Sequence, residues 1–287
     1  MNVHDTRLLM ELQSVSVRFG INEALKNIDL PIHQHEICAI VGDNGAGKST
    51  LVKVLSGYMQ PSGGSIVWKS QDVSISNLRA ANALGIASVF QHPEFCENLD
   101  VAANLFLGKE ISKGRWKGFM RDDSAMYTRA KEVLNELSSS IRVASSMQEL
   151  SLGQRQTVAI AQTLLTSPEL IVLDEPTAML SVIQTAEVLS YMKRLREQGL
   201  SMVFVSHDLP DVFAVADRVI VMRLGRVMGD HKVKDTSYEE VIAEISGVIQ
   251  PNDLTSAGVK AARNSQVNRL RTQHKLIERA LQMNEEA

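Results

Sequence analysis

Apolar and polar residues alternate near the start of the chain, as expected of half-buried β-strands. Residues 15–19 follow this pattern up to Gly20, and residues 25–30 predict a second strand that ends at Pro31. Later apolar runs are too short for helices and predict further strands, most of them buried. These runs cover residues 37–41, 66–68, 86–90, 170–173, 202–205 and 219–222, with 226–228 as the second arm of a hairpin.

Between these runs, apolar residues recur every three or four positions, which predicts helices. Helices are expected after residue 50, over 123–137, after 151, before 199, and after a capping-box sequence at 237–240. Strands that alternate with helices favour a mainly parallel sheet covered on both faces. From residue 92 to about residue 150 helical patterns replace strand patterns, so we expect a helical insertion in this α/β core.

The last part of the chain differs from this core. Residues 252–266 are polar and predict a linker, which an amphipathic helix follows. The apolar stripe of that helix consists of Val267, Leu270, His274, Ile277 and Leu281. Such a helix could pack against its own domain or bind a partner. The pattern does not distinguish the two, and we favour packing against its own domain.

Composition narrows the possible function classes. The chain has 287 residues, 44% of them hydrophobic, and a net charge of −3, so it lacks the basic excess of nucleic-acid-binding proteins. Cys38 and Cys96 lack the spacing of a paired motif and indicate a reducing compartment. No apolar run approaches the roughly 18 residues that span a bilayer, and we find no signal-peptide core. We therefore expect a soluble protein that reaches a membrane only through a partner.

Residues 42–50 form the strongest motif in the chain. They fit the phosphate-binding pattern G-x-x-x-x-G-K-[ST] and lie between a predicted strand and a predicted helix. Such a loop can direct several backbone N–H groups at one anion, while Lys48 reaches the outer phosphates and Ser49 ligates Mg²⁺. The motif thus predicts binding of a nucleoside triphosphate. The predicted binding residues are Gly42, Asp43, Asn44, Gly45, Ala46, Gly47, Lys48, Ser49 and Thr50.

Four polar side chains follow other predicted strands. Asp174 ends an apolar run and could hold Mg²⁺ directly or through water. Glu175, next to it, could polarise a water molecule for attack on the γ-phosphate. Gln91 and His207 also stand at strand ends, where both could contact the γ-phosphate and Gln91 could contact the metal. Taken alone, each of these two would more often be a solvated or structural residue.

The order of these motifs resembles that of ABC transporter ATPases. The matching segments are Phe19, 42–50, Gln91, 150–154, 170–177 and His207. Residues 150–154, Leu-Ser-Leu-Gly-Gln, resemble the signature of that family. The resemblance implies an ATP-binding domain over residues 8–250: a RecA-like P-loop NTPase core of α/β class, an N-terminal antiparallel β subdomain, and an inserted α-helical subdomain at about 92–155. It leaves residues 251–287 as a linker and a C-terminal amphipathic helix.

The same resemblance implies roles that the motifs alone do not. The protein would hydrolyse ATP, and two copies would pair head to tail. Ser151, Gly153 and Gln154 of one copy would complete the ATP site of the other, where a helix N-terminus suits a second anion contact. The implied catalytic residues are Glu175, His207 and Gln91, and the implied metal ligands are Ser49, Gln91 and Asp174.

Phe19 has two possible environments. It shares the strand parity of Val15 and Val17, which would place it in the core. In ABC ATPases an aromatic ring at this place stacks on adenine. Because Gly20 ends the strand and could leave the ring exposed, we favour stacking.

Finer features resemble the ATP-binding subunits of simple-sugar importers. They are residues 90–91, 98–101, 103–108 and 175–178. This branch implies uptake of ribose, xylose or fructose, permease subunits, a sugar-binding protein that acts indirectly, and a peripheral place on the cytoplasmic face of the membrane. Many members fuse two cassettes, so one cassette here implies a second copy. Ser181 stands where ABC ATPases often have an aspartate, which leaves communication across the dimer open.

Two other functions stay open at this point. The first is a soluble ABC ATPase that acts on nucleic acid or ribosomes, against which the charge and the lack of a long coiled-coil insertion argue. The second is a regulatory cassette that binds ATP without hydrolysing it, against which Lys48, Asp174, Glu175 and His207 argue. We expect no nucleic-acid partner. The sugar itself cannot be read from this chain, since selectivity in the family lies in other subunits.

Overall fold

Two sheets with helices around them make up the fold. A computed structural model describes residues 7–114, 117–137, 139–247, 272–277, 279 and 281–283. The strands are β1 (Leu8–Phe19), β2 (Asn22–His33), β3 (Ile37–Gly42), β4 (Gly63–Trp68), β5 (Gln71–Val73), β6 (Ile86–Val89), β7 (Ser112–Lys113), β8 (Lys117–Arg121), β9 (Leu170–Asp174), β10 (Ser201–Val205), β11 (Arg218–Arg223) and β12 (Arg226–Lys232). The α-helices are α1 (Lys48–Leu55), α2 (Leu78–Leu84), α3 (Val101–Leu105), α4 (Asp123–Glu136), α5 (Leu152–Leu164), α6 (Val182–Glu197), α7 (Leu209–Val215) and α8 (Tyr238–Ser246). Short 3₁₀ turns cover Met147–Glu149 and Val233–Asp235.

The larger sheet has the strand order β12-β11-β3-β10-β9-β6. Its pairs are parallel except for the β11–β12 hairpin. The carboxyl ends of β3, β6, β9 and β10 therefore meet at one edge, where open α/β sheets bind their ligands. The predicted α/β fold with a mainly parallel sheet is confirmed.

The smaller sheet is antiparallel and has the order β2-β1-β4-β5. Its strand β2 runs two residues beyond Pro31, so the predicted end at this proline is wrong. Because β2 is an edge strand, it tolerates a residue without an N–H donor. Strand β1 is also longer than predicted, since an irregularity near Ser14, at φ 49°, shifts the register without ending the strand.

Strand β3 separates two apolar cores. Ile37, Ala39 and Val41 pack with residues of α5, α6 and α7. Cys38 and Ile40 point to the other side, toward α1 and the antiparallel sheet. Burial on both faces explains why the central strands are continuous apolar runs.

The insertion between β6 and α5 contains α3, α4 and a β7–β8 hairpin that the sequence pattern did not predict. Asp100 caps α3 by accepting a hydrogen bond from the Ala103 N–H (2.7 Å). Asn104 accepts from the Cys96 N–H (2.8 Å) and donates to the Cys96 carbonyl (3.0 Å), which fixes the preceding loop. The division into domains at residues 92, 155 and 250 stays a prediction.

The C-terminal segment, residues 272–283 in so far as they are described, is helical. Ile277 and Leu281 are buried in the core cluster that contains α6 and α7, so this segment packs against its own domain, as favoured above. Val267 and Leu270 of the predicted stripe, and the predicted linker, lie outside the described residues. In the described part of the chain no helix is both long enough and apolar enough to cross a membrane.

Candidate functional site

The phosphate loop joins β3 to α1, and its backbone requires glycine at two positions. Gly42 has φ 151° and Gly47 has φ 105°. A Cβ atom at Gly42 would lie 2.2 Å from the Met222 carbonyl oxygen, and one at Gly47 would lie 2.8 Å from the Ala24 carbonyl oxygen. Neither the conformation nor the space allows a side chain.

The start of α1 is prepared for an anion. The first N–H groups of an α-helix have no partner within the helix, and among the described residues no side chain caps α1. The Lys48 ammonium donates to the carbonyls of Gly42 (2.7 Å) and Asp43 (3.0 Å). Burial lowers the pKa of Lys48, while Glu175, Asp43 and Asp174 act to raise it. The carbonyls of the loop thus hold the Lys48 ammonium at a position where phosphate oxygens could replace them as its hydrogen-bond acceptors.

A cavity of about 460 Å³ opens beside this loop. Phe19 and Leu224, 51% and 65% exposed, contribute apolar surface to it. The Gly225 N–H donates to the Ala46 carbonyl (2.9 Å), which ties the β11–β12 turn to the phosphate loop. Strand β1 ends at Phe19, so its ring leaves the core and the parity argument for burial is wrong. The hairpin was predicted, but its place beside the site was not.

Asp174 is the last residue of β9 and is only 7% exposed. Its Oδ1 atom has no hydrogen-bond partner among the described residues. Burial raises its pKa, Glu175 raises it further, and Lys53 and Lys48 lower it. A buried oxygen without a partner is unfavourable unless a cation or water binds it. Together with Ser49, which lines the cavity beside the phosphate loop, it is a donor set that fits Mg²⁺.

Two of the predicted side chains contact the carboxylate of a third, Glu175. The Gln91 amide donates to Oε2 of Glu175 (2.8 Å), and Nδ1 of His207 lies 3.4 Å from Oε1. Glu175 itself has φ 50°, and its N–H donates to the Val205 carbonyl (3.0 Å). The three follow β6, β9 and β10, whose carboxyl ends share one edge of the sheet. The parallel topology therefore brings together residues that are far apart in the sequence.

The segment 151–154 does not line the cavity beside the phosphate loop. Ser151 caps α5: its hydroxyl accepts from the Gln154 N–H (3.3 Å), and its own N–H donates to Oε1 of Gln154 (2.9 Å). Gly153 is buried against Gln184, whose Cγ would lie 2.9 Å from an added Cβ. Ser151 and Leu152 are exposed, so within one chain the start of α5 offers a surface separate from that cavity.

Sequence reasoning missed a polar cavity of about 150 Å³ beside Glu175 and His207. Thr177, Asp211 and Gln273 also line it. Asp211 is 2% exposed, and burial raises its pKa to about 7, although the hydrogen bond from the Thr177 hydroxyl acts to lower it. Gln273, from the C-terminal segment, donates to Asp208 (2.7 Å) next to His207. No local pattern joins these three residues, since they belong to three distant segments.

Comparison with known proteins places this geometry in a family. Residues 25–178, more than half of the chain, match the ABC transporter family. The chain belongs to that family. Its members with this cassette are ATPases, so the expected ATP-binding enzyme class is confirmed at the level of the family.

Curated relatives point to one branch of the ABC family. The ribose import ATP-binding protein RbsA of Bacillus cereus is 36% identical over 238 residues, which are 83% of this chain and 48% of that protein. The xylose/arabinose import ATP-binding protein XylG of Sulfolobus acidocaldarius is 34% identical over 234 residues, 81% of this chain and 92% of that protein. The chain spans about half the length of the first relative. Resemblance to sugar-importer cassettes is thereby confirmed.

Solved structures agree on the fold. A nucleotide-free ATP-binding cassette from an ABC transporter has a TM-score of 0.73 at 24% identity and covers 85% of this chain and 96% of its own. A bacterial ABC transporter cassette solved as a dimer has a TM-score of 0.67 at 25% identity, covering 79% of this chain and 100% of its own. The predicted P-loop fold of the ABC ATPases is confirmed.

Proposed function

We propose that this protein is the ATP-hydrolysing subunit of an importer of simple sugars. The contact of Gln91 and His207 with the two carboxylate oxygens of Glu175, at the sheet edge where the phosphate loop begins, carries the proposal. The relatives named for ribose import and for xylose/arabinose import support the class of solute.

Each side chain at the site has a task in hydrolysis. Lys48 and the free N–H groups of α1 offset the charge of the phosphates. The Glu175 carboxylate orients and deprotonates the attacking water. Gln91 and His207 hold that carboxylate in place and lie where they can contact the γ-phosphate. Phe19 offers its exposed face to the adenine ring.

Mg²⁺ is the cofactor that we propose for this site. Its ligands are Ser49 and Asp174, with Gln91 as a further ligand. The buried Oδ1 atom of Asp174, which has no hydrogen-bond partner in the described part of the chain, supports this choice. When bound, the ion neutralises charge on the phosphates.

We further propose that two copies share their ATP sites head to tail. Residues 151–154 do not line the cavity beside the phosphate loop of their own chain, and a similar cassette was solved as a dimer. Ser151, Gly153 and Gln154 would then contact the nucleotide of the partner copy. The pair would bind permease subunits at the cytoplasmic face of the membrane, and a sugar-binding protein would act through the permease. This placement rests on the relatives that are import proteins.

Uptake of labelled ribose, xylose and fructose by intact cells tests the import. Deleting the gene should abolish uptake of at least one sugar, and wild-type protein should restore it. Glu175→Gln should not restore uptake, whereas Glu197→Gln, at an exposed position that ends α6, should. If uptake of every sugar is unchanged while the purified protein hydrolyses ATP, the soluble ATPase is the better assignment.

Mixing two inactive variants tests the shared site. Glu175→Gln removes the base of one site, and Gly153→Asp places a negative charge in the first turn of α5, which would face the phosphates bound by the other copy. In a mixed head-to-tail dimer one of the two sites has neither change, so activity should reappear on mixing. No recovery, together with specific activity that is independent of protein concentration, would refute the shared site.

A further inference from the structure

A second group of ligating side chains lies away from the nucleotide site, between β12 and α8. One ring nitrogen of His231 and one carboxylate oxygen each of Glu240 and Glu244 lie within 4.8 Å of one another. Nε2 of His231 is 3.0 and 2.9 Å from the two oxygens of Glu244. The mechanism of ATP hydrolysis uses none of these residues.

Gly229 makes the space for this group. A Cβ atom there would lie 1.9 Å from Oε2 of Glu244 and 2.5 Å from Nε2 of His231. Unlike Gly42 and Gly47, Gly229 has no positive φ angle, so its backbone does not demand glycine. Because Gly229 has no side chain, the His231 imidazole and the Glu244 carboxylate have room to approach each other.

The charges of the group are unbalanced. Glu240 and Glu244 are four residues apart on α8 and therefore share a face, where like charges repel. Among the described residues, no lysine or arginine lies within 4 Å of either carboxylate, and the one basic partner is His231. Glu240 is held by a hydrogen bond from the Thr236 hydroxyl (2.7 Å), as second-shell donors hold metal-ligating carboxylates.

We propose that His231, Glu240 and Glu244 bind a zinc ion that links β12 to α8. One imidazole nitrogen and two carboxylate oxygens are ligands that zinc accepts, with a water in the fourth position. Tetrahedral ligand atoms at zinc lie about 3.3 Å apart, close to the 2.9 and 3.0 Å already present between His231 and Glu244. Glu240 is exposed, so the ion has access from solvent.

The His33–Glu36 pair resembles the His231–Glu244 pair but lacks space for a metal ion. Nδ1 of His33 lies 2.9 Å from Oε2 of Glu36, a distance like that between His231 and Glu244. There, however, the Arg218 guanidinium lies beside both, 3.2 Å from the imidazole and 3.8 Å from the carboxylate. A fixed cation already occupies that position, so His33 serves as the control.

Zinc titration of the full-length, nucleotide-free protein by calorimetry tests the proposal. The wild type should bind one zinc ion at this site, and Mg²⁺ at the same concentration should give no heat from it. His231→Gln and Glu244→Gln should weaken zinc binding at least tenfold, while His33→Gln should not. A zinc ion held instead by Glu175 and His207 would persist in His231→Gln, which separates the two sites.

Gly229→Ala provides a test that keeps every ligand. The new methyl group should push the imidazole and the Glu244 carboxylate apart and weaken zinc binding, with the fold retained. Zinc should also raise the melting temperature of the wild type but not that of His231→Gln. If His231→Gln binds zinc as the wild type does, or if the wild type binds none, His231 and Glu244 form an ion pair only and the proposal is wrong.

Discussion

Helices α1 and α5 differ in how the N–H groups of their first turns are satisfied. Helix α1 begins after Gly47, and no side chain satisfies its first N–H groups. Helix α5 begins after its N-cap Ser151, whose hydroxyl and N–H are both engaged with Gln154 in a capping box. The helix dipole is available at both ends, but of the two first turns only that of α1 has a lysine ammonium held beside it by backbone carbonyls. A single chain can therefore hold phosphate at α1 by itself.

In a shared ATP site, the N-termini of α1 and α5 would therefore contribute differently to nucleotide binding. In the capping box the Ser151 hydroxyl accepts a hydrogen bond from the Gln154 N–H. Its own O–H can still be donated to a phosphate oxygen, so the cap and a contact with the nucleotide are compatible. Under the proposed function, α1 binds the nucleotide and α5 responds to it in the partner copy.

The largest effect is expected at Glu175, on the side of α1. Glu175→Gln keeps the size of the side chain and its contacts with Gln91 and His207 but removes the base. Hydrolysis should fall by about 10²-fold or more, while ATP binding persists and ATP-bound dimers accumulate. Phosphate release and light scattering measure the two properties. A wild-type rate in this variant would contradict the assigned base, whereas Asp174→Asn should alter the Mg²⁺ dependence instead.

Substitutions at Lys48, beside α1, and at Ser151, beside α5, should affect the ATP affinity of the monomer differently. Lys48→Ala deletes a charged donor to the phosphates, so ATP affinity should fall about 10- to 100-fold, as expected for charge-assisted hydrogen bonds. Ser151→Ala should leave the affinity of the monomer unchanged, because α5 acts only on the partner copy. Calorimetry below the dimer dissociation constant measures both. Equal losses in the two variants would show that the comparison is wrong.

The two glycines should respond differently to alanine. Gly47→Ala places a methyl group in a left-handed conformation and 2.8 Å from a backbone carbonyl, which should cost about 1–3 kcal/mol of unfolding free energy. In Gly153→Ala the new methyl group lies 2.9 Å from Cγ and 3.0 Å from Cβ of Gln184, so this side chain must shift, which offsets the up to about 1 kcal/mol that alanine gains over glycine in a helix. Its net effect should be near zero. Urea unfolding of the two variants gives the difference, and a reversed order would contradict the local geometry.

The smallest effect concerns the two capping boxes. Ser151 with Gln154 opens α5, and Ser181 with Gln184 opens α6 in the same way. Ser151→Ala and Ser181→Ala should each lower the unfolding free energy by about 1 kcal/mol. Only Ser151→Ala should also slow hydrolysis at dimer-forming concentrations beyond what its stability explains. If both variants slow hydrolysis equally, the cap and not the nucleotide contact accounts for the loss.

The fold was predictable wherever local chemistry is sufficient. The phosphate loop with Gly42 and Gly47 could be predicted, as could the strand before it and the helix after it. The reason is that motifs and periodicity depend on neighbouring residues. The end of β2 could not be predicted, because the tolerance of Pro31 depends on whether β2 is an edge strand. The β7–β8 hairpin was missed because β7 has only two residues and β8, Lys-Gly-Phe-Met-Arg, shows neither alternation nor an apolar run.

The sequence by itself determined the phosphate loop, the acidic pair at 174–175 and the family to which the chain belongs. Only the tertiary structure decided that Gln91, Glu175 and His207 meet, that Phe19 is exposed, and that Ile277 is buried against the core. It also brought His231 of β12 to the acidic face of α8. The physical reason is range: propensity and motif chemistry depend on adjacent residues, whereas strand order and helix packing set contacts between residues that are far apart in the chain.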